Sequence, residues 1–156
     1  MLEIEYSSID AAGIDIIEPL WNKLIVHHRE RATRFRKHME SVDFAGRKSE
    51  LLEKAKGGGM HIDLAYDAGT QKLVGYCVST VDDRKQGEID SIYVEDHYRC
   101  NGIAAALMKK ALQWLDGMSV EKKVLLVASG NEEVLAFYEK LEFYPRGIVL
   151  EQVKDT

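Results

Sequence analysis

"HYRCNGIAAALMKKAL", residues 97–112, decides the fold. One glycine, no proline and a run of small residues follow directly on an arginine and an asparagine. From Gly102 onward, Ile103, Leu107, Ala111, Leu112 and Leu115 recur at helical spacing and predict a long helix with one buried stripe. The first turn of a helix exposes unpaired backbone N–H groups at the positive end of its dipole, a combination that binds phosphate. Gly102 lets the backbone approach a ligand closely, Ala104 and Ala105 leave the space before those amides open, and Arg99 adds charge. A small-residue helix start packed on a strand would carry the same letters, so the flanking chain has to decide between the two.

On the N-terminal side, "GEIDSIYV" (87–94) alternates as a strand, with Ile89, Ser91 and Tyr93 expected on one face and Glu88, Asp90, Ile92 and Val94 on the other. On the C-terminal side, "VLLVA" (124–128) is a short unbroken apolar run, expected to be a strand covered on both faces. Strand, helix and strand together predict a parallel crossover. Asn131 is then expected to cap a further helix, with Glu132 and Glu133 in its first turn and Tyr138 and Leu141 on its inner side. "FYPRGIVLEQV" (143–153) reads as a last strand.

Further upstream, "MHIDLAYD" (60–67) and "KLVGYCVSTV" (72–81) predict two antiparallel strands joined by the turn "AGTQ". "SVDFAGRKSELLEKAKGGG" (41–59) predicts a helix stopped by three glycines. A first helix is expected from about Ile14, with Ile16, Ile17, Leu20, Leu24 and His27 on its stripe and Pro19 early enough to be tolerated. Before it, "LEIEY" alternates as a half-buried strand. With no internal repeat or linker, residues 1–156 read as one domain of the α/β (α+β) class, a mixed and mostly antiparallel sheet with helices on both faces.

Composition narrows the function. The chain is 46% hydrophobic with a formal net charge of -5, so its surface as a whole repels nucleic acid, and any anion site has to be local. Apolar runs are too short to cross a bilayer, and "MLEIEYSS" lacks the basic and apolar regions of a secretion signal. Cys77 and Cys100 fall in different elements, and the expectation is a soluble, reduced, cytoplasmic protein. "HHRERATRFRKH" (27–38) offers adjacent histidines without cysteine, poor geometry for a metal, and no metal is expected.

Two nucleotide motifs are excluded by their spacing. A Rossmann turn needs Gly-x-Gly-x-x-Gly after a strand, and a P-loop ends in Gly-Lys-Ser/Thr; Arg99-Cys100-Asn101-Gly102 fits neither. It does fit Gln/Arg-x-x-Gly-x-Gly/Ala, and here the chain resembles the GNAT superfamily of acyl-CoA-dependent N-acetyltransferases. The likeness extends over "GEIDSIYVEDHYRCNGIAAALMKKALQWL" and "LLVASGNEEVLAFYEKLEFYPRG", about residues 62–150 in all. Asp96 stands where family members often have proline and Glu142 where they often have glycine; Leu126 stands where ribosomal-protein acetyltransferases carry an acid.

The resemblance implies acetyl-CoA as cosubstrate and an amine-bearing acceptor. It places the pyrophosphate on the turn formed by Arg99, Cys100, Asn101, Gly102, Ile103, Ala104 and Ala105, and aligns the pantetheine and thioester along the backbone of Ile92, Tyr93 and Val94, with Asn131 on the pantetheine arm. It makes Tyr138 the general acid for the leaving thiolate and Glu88 the first candidate for the base, with Asp90 or a water chain as alternatives. By the family's layout the 27–38 segment holds an acceptor's carboxylate or phosphate, or the coenzyme's 3′-phosphate; read bottom-up it is a solvated helix face. A homodimer is expected, with neither nucleic acid nor membrane as partner, and a non-catalytic acyl-CoA-binding regulatory domain is the alternative to an enzyme.

Overall fold

The computed structural model describes residues 1–154. Five strands lie in one sheet in chain order: β1 (Ile4–Ile9), β2 (Gly59–Asp67), β3 (Lys72–Val81), β4 (Gln86–Val94) and β5 (Lys122–Leu125). The first four pair antiparallel, and β4 and β5 run parallel. The crossover between them is helix α4 (Ile103–Gly117). This is the expected mixed sheet with helices on both faces.

Local chemistry fixes the ends of the elements. At the β2–β3 turn the Asp67 carboxylate accepts from the Gly69 N–H at 2.9 Å, and Gln71 takes φ 58°. Asp10 accepts from Ala12 N–H at 3.0 Å and starts a 3-10 segment, Ala11–Ile17, which runs into helix α1 (Glu18–Arg31) with Pro19 in its first turn. The first helix therefore begins as a tighter turn than its spacing predicts, and Ile16 is exposed while Ile14 and Ile17 are buried. A short helix α2 (Arg36–Ser41) follows, then α3 (Phe44–Ala55), whose cap Asp43 accepts from Gly46 N–H at 2.8 Å.

Two cores sandwich the sheet. On one face Ile14, Ile17, Leu20, Trp21, Phe44 and Leu51 pack with Ile62, Leu64, Tyr76 and Val78, the Trp21 and Phe44 rings meeting edge to face at 5.5 Å. On the other, Ile103, Leu107, Met108, Ala111 and Leu115 of α4 pack with Ala65, Val74, Cys77 and Ile89. Each such fully buried aliphatic side chain contributes about 1.5–3 kcal/mol.

Three expectations are corrected. β5 is a four-residue edge strand, half-buried where it was expected to be covered on both faces, and Leu126 beyond it is 87% exposed. The reason is that β5 stops pairing with β4 after Ile89 and Leu125, so the chain leaves the sheet there. "FYPRGIVLEQV" forms no strand: α5 (Leu135–Glu139) is the last element of the described residues, and Ile148, Val149 and Leu150 are 83%, 92% and 89% exposed. Among the described residues nothing covers that run.

The third correction concerns β4. Val78 pairs with Ser91 while Ser79 pairs with Ile89, so Asp90 is an extra residue, a β-bulge. The alternation changes phase there. Ile89 packs with the α4 side, whereas Tyr93 joins the core beneath α1 and α3, so Ile89 and Tyr93 lie on opposite faces. Glu88 and Asp90 both reach Lys54 of α3, and Ser91 shares a buried 2.7 Å hydrogen bond with Tyr76, so these residues all serve the α1–α3 side.

Candidate active site

Helix α4 begins with two left-handed residues, Cys100 at φ 64° and Gly102 at φ 77°. Only glycine takes the second conformation without strain, and an ideal Cβ there meets no heavy atom within 4 Å, so the turn opens onto free space. The Asn101 side-chain amide donates to the Tyr98 and Arg99 carbonyls at 3.0 Å each and braces the turn from outside. Within the helix Ala106 N–H is bonded to Gly102 O at 3.0 Å. The amides ahead of it, Ile103, Ala104 and Ala105, belong to the first turn, which helix geometry leaves without carbonyl partners. Ala105 is exposed beside them.

Arg99 sits differently from its sequence reading. Its Nε donates to Val94 O at 2.9 Å, its guanidinium pairs with Asp96 at 2.8 Å, and it stacks over the Tyr93 ring at 5.3 Å. The charge is thus tied to the end of β4, and the amides of the first turn are what face the open space.

Beyond Ile89 the edge of β4 that faces β5 has no strand partner. Residues Ile92, Tyr93 and Val94 therefore present backbone groups to the gap between the two strands. On the far side of the gap stands the loop before α5. An ideal Cβ on Gly130, φ 94°, would lie 2.4 Å from Arg31 O, so α1 and this loop close directly on one another. Next to that contact is Asn131. Its side chain makes no capping bond, contrary to expectation; the Glu132 carboxylate takes the Gly130 N–H at 3.0 Å instead. Asn131 Oδ1 is left buried, approached by the His27 ring but with no hydrogen bond of normal geometry. An orphaned acceptor of this kind is costly and marks a place where a donor from a ligand fits.

His27 of α1 faces Asn131 and lies 3.1 Å from Arg31; burial and the Arg31 charge lower its pKa, so the ring is neutral at pH 7. Most of the neighbouring basic segment is already engaged. Arg29 donates to Met39 O at 3.0 Å, Arg36 donates to Arg29 O at 3.2 Å, and Arg31 pairs with Glu133 at 3.1 Å. These guanidiniums fasten the α1–α2 connection and the α5 loop, which leaves little of the segment for an acceptor's carboxylate or phosphate.

Glu88 and Asp90 lie on the α1–α3 side. Glu88 is 3.3 Å from Lys54, with its side chain 23% exposed. Burial first, and the Asp90 charge second, raise its pKa above the usual glutamate value, against Lys54 and Arg47. Tyr138 lies on the other side, between Phe137 at 5.2 Å and Phe143 at 6.4 Å, within the α4 core. Burial pushes its hydroxyl up to about 12. The two candidate proton carriers thus approach from opposite faces of the sheet, with the β4–β5 gap between those faces. Sequence reading missed Lys54, Thr80 and Arg47. None has a local signal, because each acquires its role only through contacts with elements far along the chain.

The comparisons bear on the family and the fold. A model of the acetyltransferase (GNAT) family matches residues 21–143. The chain belongs to the GNAT acetyltransferase family. Among solved structures, a putative acetyl transferase from Pyrococcus furiosus is 24% identical with a TM-score of 0.67, over 95% of this chain and 99% of that one. An aminoglycoside N-acetyltransferase in complex with CoA is 13% identical with a TM-score of 0.67, over 100% and 97%. A ribosomal-protein-alanine N-acetyltransferase from Brucella melitensis is 18% identical with a TM-score of 0.61, over 99% and 100%. At these identities the likeness is one of fold. No curated protein matches the chain in sequence.

This GNAT protein is an acetyltransferase, and the acyl donor is acetyl-CoA. The residues present fit that donor on two counts: the open space at Gly102 before the α4 amides, and the orphaned Asn131 Oδ1 across the gap. No helix of the described residues is long and apolar enough to cross a membrane.

Proposed function

We propose that the chain moves the acetyl group of acetyl-CoA to a primary amine by direct attack in a ternary complex. The observation that carries this reading is Glu88: a partly exposed carboxyl of raised proton affinity, on the strand that leads to the α4 turn. An alkylammonium with a pKa of about 10.4 is neutral only about once in 2,500 molecules at pH 7, a deficit of about 4.6 kcal/mol that a nearby base offsets. Glu88 takes the ammonium proton, the neutral amine nitrogen attacks the thioester carbon, the C–S bond breaks as the C–N bond forms, and the nitrogen's surplus proton ends on the departing sulfur, leaving the amide and the coenzyme thiol. Backbone groups of Ile92–Val94 stabilise the developing oxyanion.

Tyr138 stabilises the leaving sulfur. Moving a proton from a hydroxyl at about 12 to a thiolate of ordinary basicity, about 8.5, is uphill by about 5 kcal/mol. Tyr138 therefore acts late, through a hydrogen bond to sulfur that strengthens as negative charge develops there. The amides of Ile103–Ala105 hold the pyrophosphate, with Cys100, Asn101 and Gly102 shaping the turn and Arg99 bracing it from Val94; Asn131 accepts from a pantetheine amide.

The partly exposed Glu88 carboxyl supports a cationic amine as acceptor rather than an acidic one. The same reading takes residues 1–156 as one domain, supported by the single sheet, and includes a homodimer, supported by the exposed run Ile148–Leu150. The test is release of the coenzyme thiol from acetyl-CoA across a panel of polyamines, amino acids, aminoglycosides and peptides. Amine-dependent release is expected for at least one class. Binding of acetyl-CoA without release for any member would instead make the chain a non-catalytic acyl-CoA-binding domain.

A further inference from the structure

Asp90 is the extra residue of the β4 bulge, and both carboxylate oxygens and the backbone carbonyl are held. Its side chain is 0% exposed. One carboxylate oxygen accepts from Thr80 Oγ1 at 2.6 Å, the other pairs with Lys54 Nζ, and its backbone carbonyl accepts from Arg47 at 3.2 Å. The next residue, Ser91, is fixed in turn by the Tyr76 hydroxyl at 2.7 Å. An incoming amine finds no free face on Asp90, whereas Glu88, two residues earlier, keeps part of its carboxyl in solvent.

We propose that Asp90 is a positioning residue: clamped by Thr80 and Arg47, it fixes the Lys54 ammonium that Glu88 shares, and so holds the Glu88 carboxyl in place for the acceptor. The inference rests on the reading of Glu88 as the base and removes Asp90 from that role. The groups that face Glu88 are Asp90 of its own strand, Lys54 and Arg47 from α3, and Thr80 opposite it on β3. Burial and Asp90 raise the Glu88 pKa while Lys54 and Arg47 lower it, so removing Asp90 and removing Lys54 have opposite signs. A purely structural role for Asp90 would not produce that opposition.

The experiment is a carboxyl 13C NMR titration of the full chain labelled at glutamate, with the Glu88 signal identified by Glu88→Gln. Asp90→Asn is expected to move the Glu88 midpoint to lower pH by about one unit, Lys54→Met to higher pH by about as much, and Lys54→Arg to restore it. The acid limb of kcat/KM, measured with acetyl-CoA and the best amine of the panel, follows in the same two directions. An unmoved midpoint in Asp90→Asn, or movement of both variants in one direction, overturns the proposal. If Asp90→Asn fails to fold, the lysine pair still decides, since an unmoved midpoint in Lys54→Met also overturns it. The titration needs no acceptor: opposed shifts in a chain that acetylates no amine refute the enzymatic reading alone, while unmoved midpoints in an active chain refute this proposal alone.

Discussion

The two faces of the sheet each bury one aspartate, and the two are treated in opposite ways. On the α1–α3 face Asp90 has both carboxylate oxygens and its carbonyl occupied. On the α4 face Asp63, 2% exposed, meets His61 at 3.1 Å through one oxygen and has no partner at all for the other. Burial raises the Asp63 pKa, and the His61 charge only partly opposes it. Depth alone therefore does not decide whether a buried carboxyl is satisfied; the number of donors around it does. The same division runs through the proposed chemistry, with the ionic cluster toward the acceptor and an apolar wall around the thiol end of the cosubstrate.

That division can be broken most forcefully at the mouth of α4. Gly102→Glu places a side chain and a negative charge in the cradle at φ 77°, and coenzyme A affinity is expected to fall at least ~10³-fold by calorimetry, about 4 kcal/mol. Retained affinity would detach the α4 side from the cosubstrate. Tyr138→Phe is expected to slow turnover about 10²-fold while the Kd for acetyl-CoA changes less than about twofold, separating stabilisation of the leaving sulfur from cosubstrate binding; full activity in that variant removes the tyrosine from the mechanism. The smallest effect tests the aspartates themselves. Because the folded pKa of Asp63 is raised, its favourable contribution is present below the unfolded value of about 3.9 and is lost as pH rises through the folded value. Asp63→Asn should then gain about 1 kcal/mol at pH 7, a rise of about 3 °C in Tm, and gain nothing at pH 3. A lower Tm at pH 7 would mean that the His61 contact outweighs the burial.

Much of this architecture was legible because its signals are local. The β2–β3 hairpin, the glycine stop after α3 and the stripe of α4 depend on residues within a few positions of one another, and the structure places them where the letters do. The Gly102 turn was equally readable, since a left-handed residue at a helix start leaves a direct trace in composition. The bulge at Asp90 left only a faint one: alternation in "GEIDSIYV" lapses at the polar pair Asp90-Ser91, and pairing with β3 is what shows that one residue is surplus. Asn131 is a capping residue by type, but Glu132 took the Gly130 amide. The apolar run Ile148–Leu150 has the composition of a strand, and the described chain brings no free edge alongside it.

Cys100 gives the α4 turn a handle. Its thiol is exposed at the lip of the cradle, while the other thiol, Cys77, is sealed in the core and burial pushes its pKa far up. An alkylating dye therefore marks one position, and coenzyme A seated on the neighbouring amides would shield it. The protein thus carries a built-in occupancy gauge, readable by mass spectrometry before any acceptor has been found.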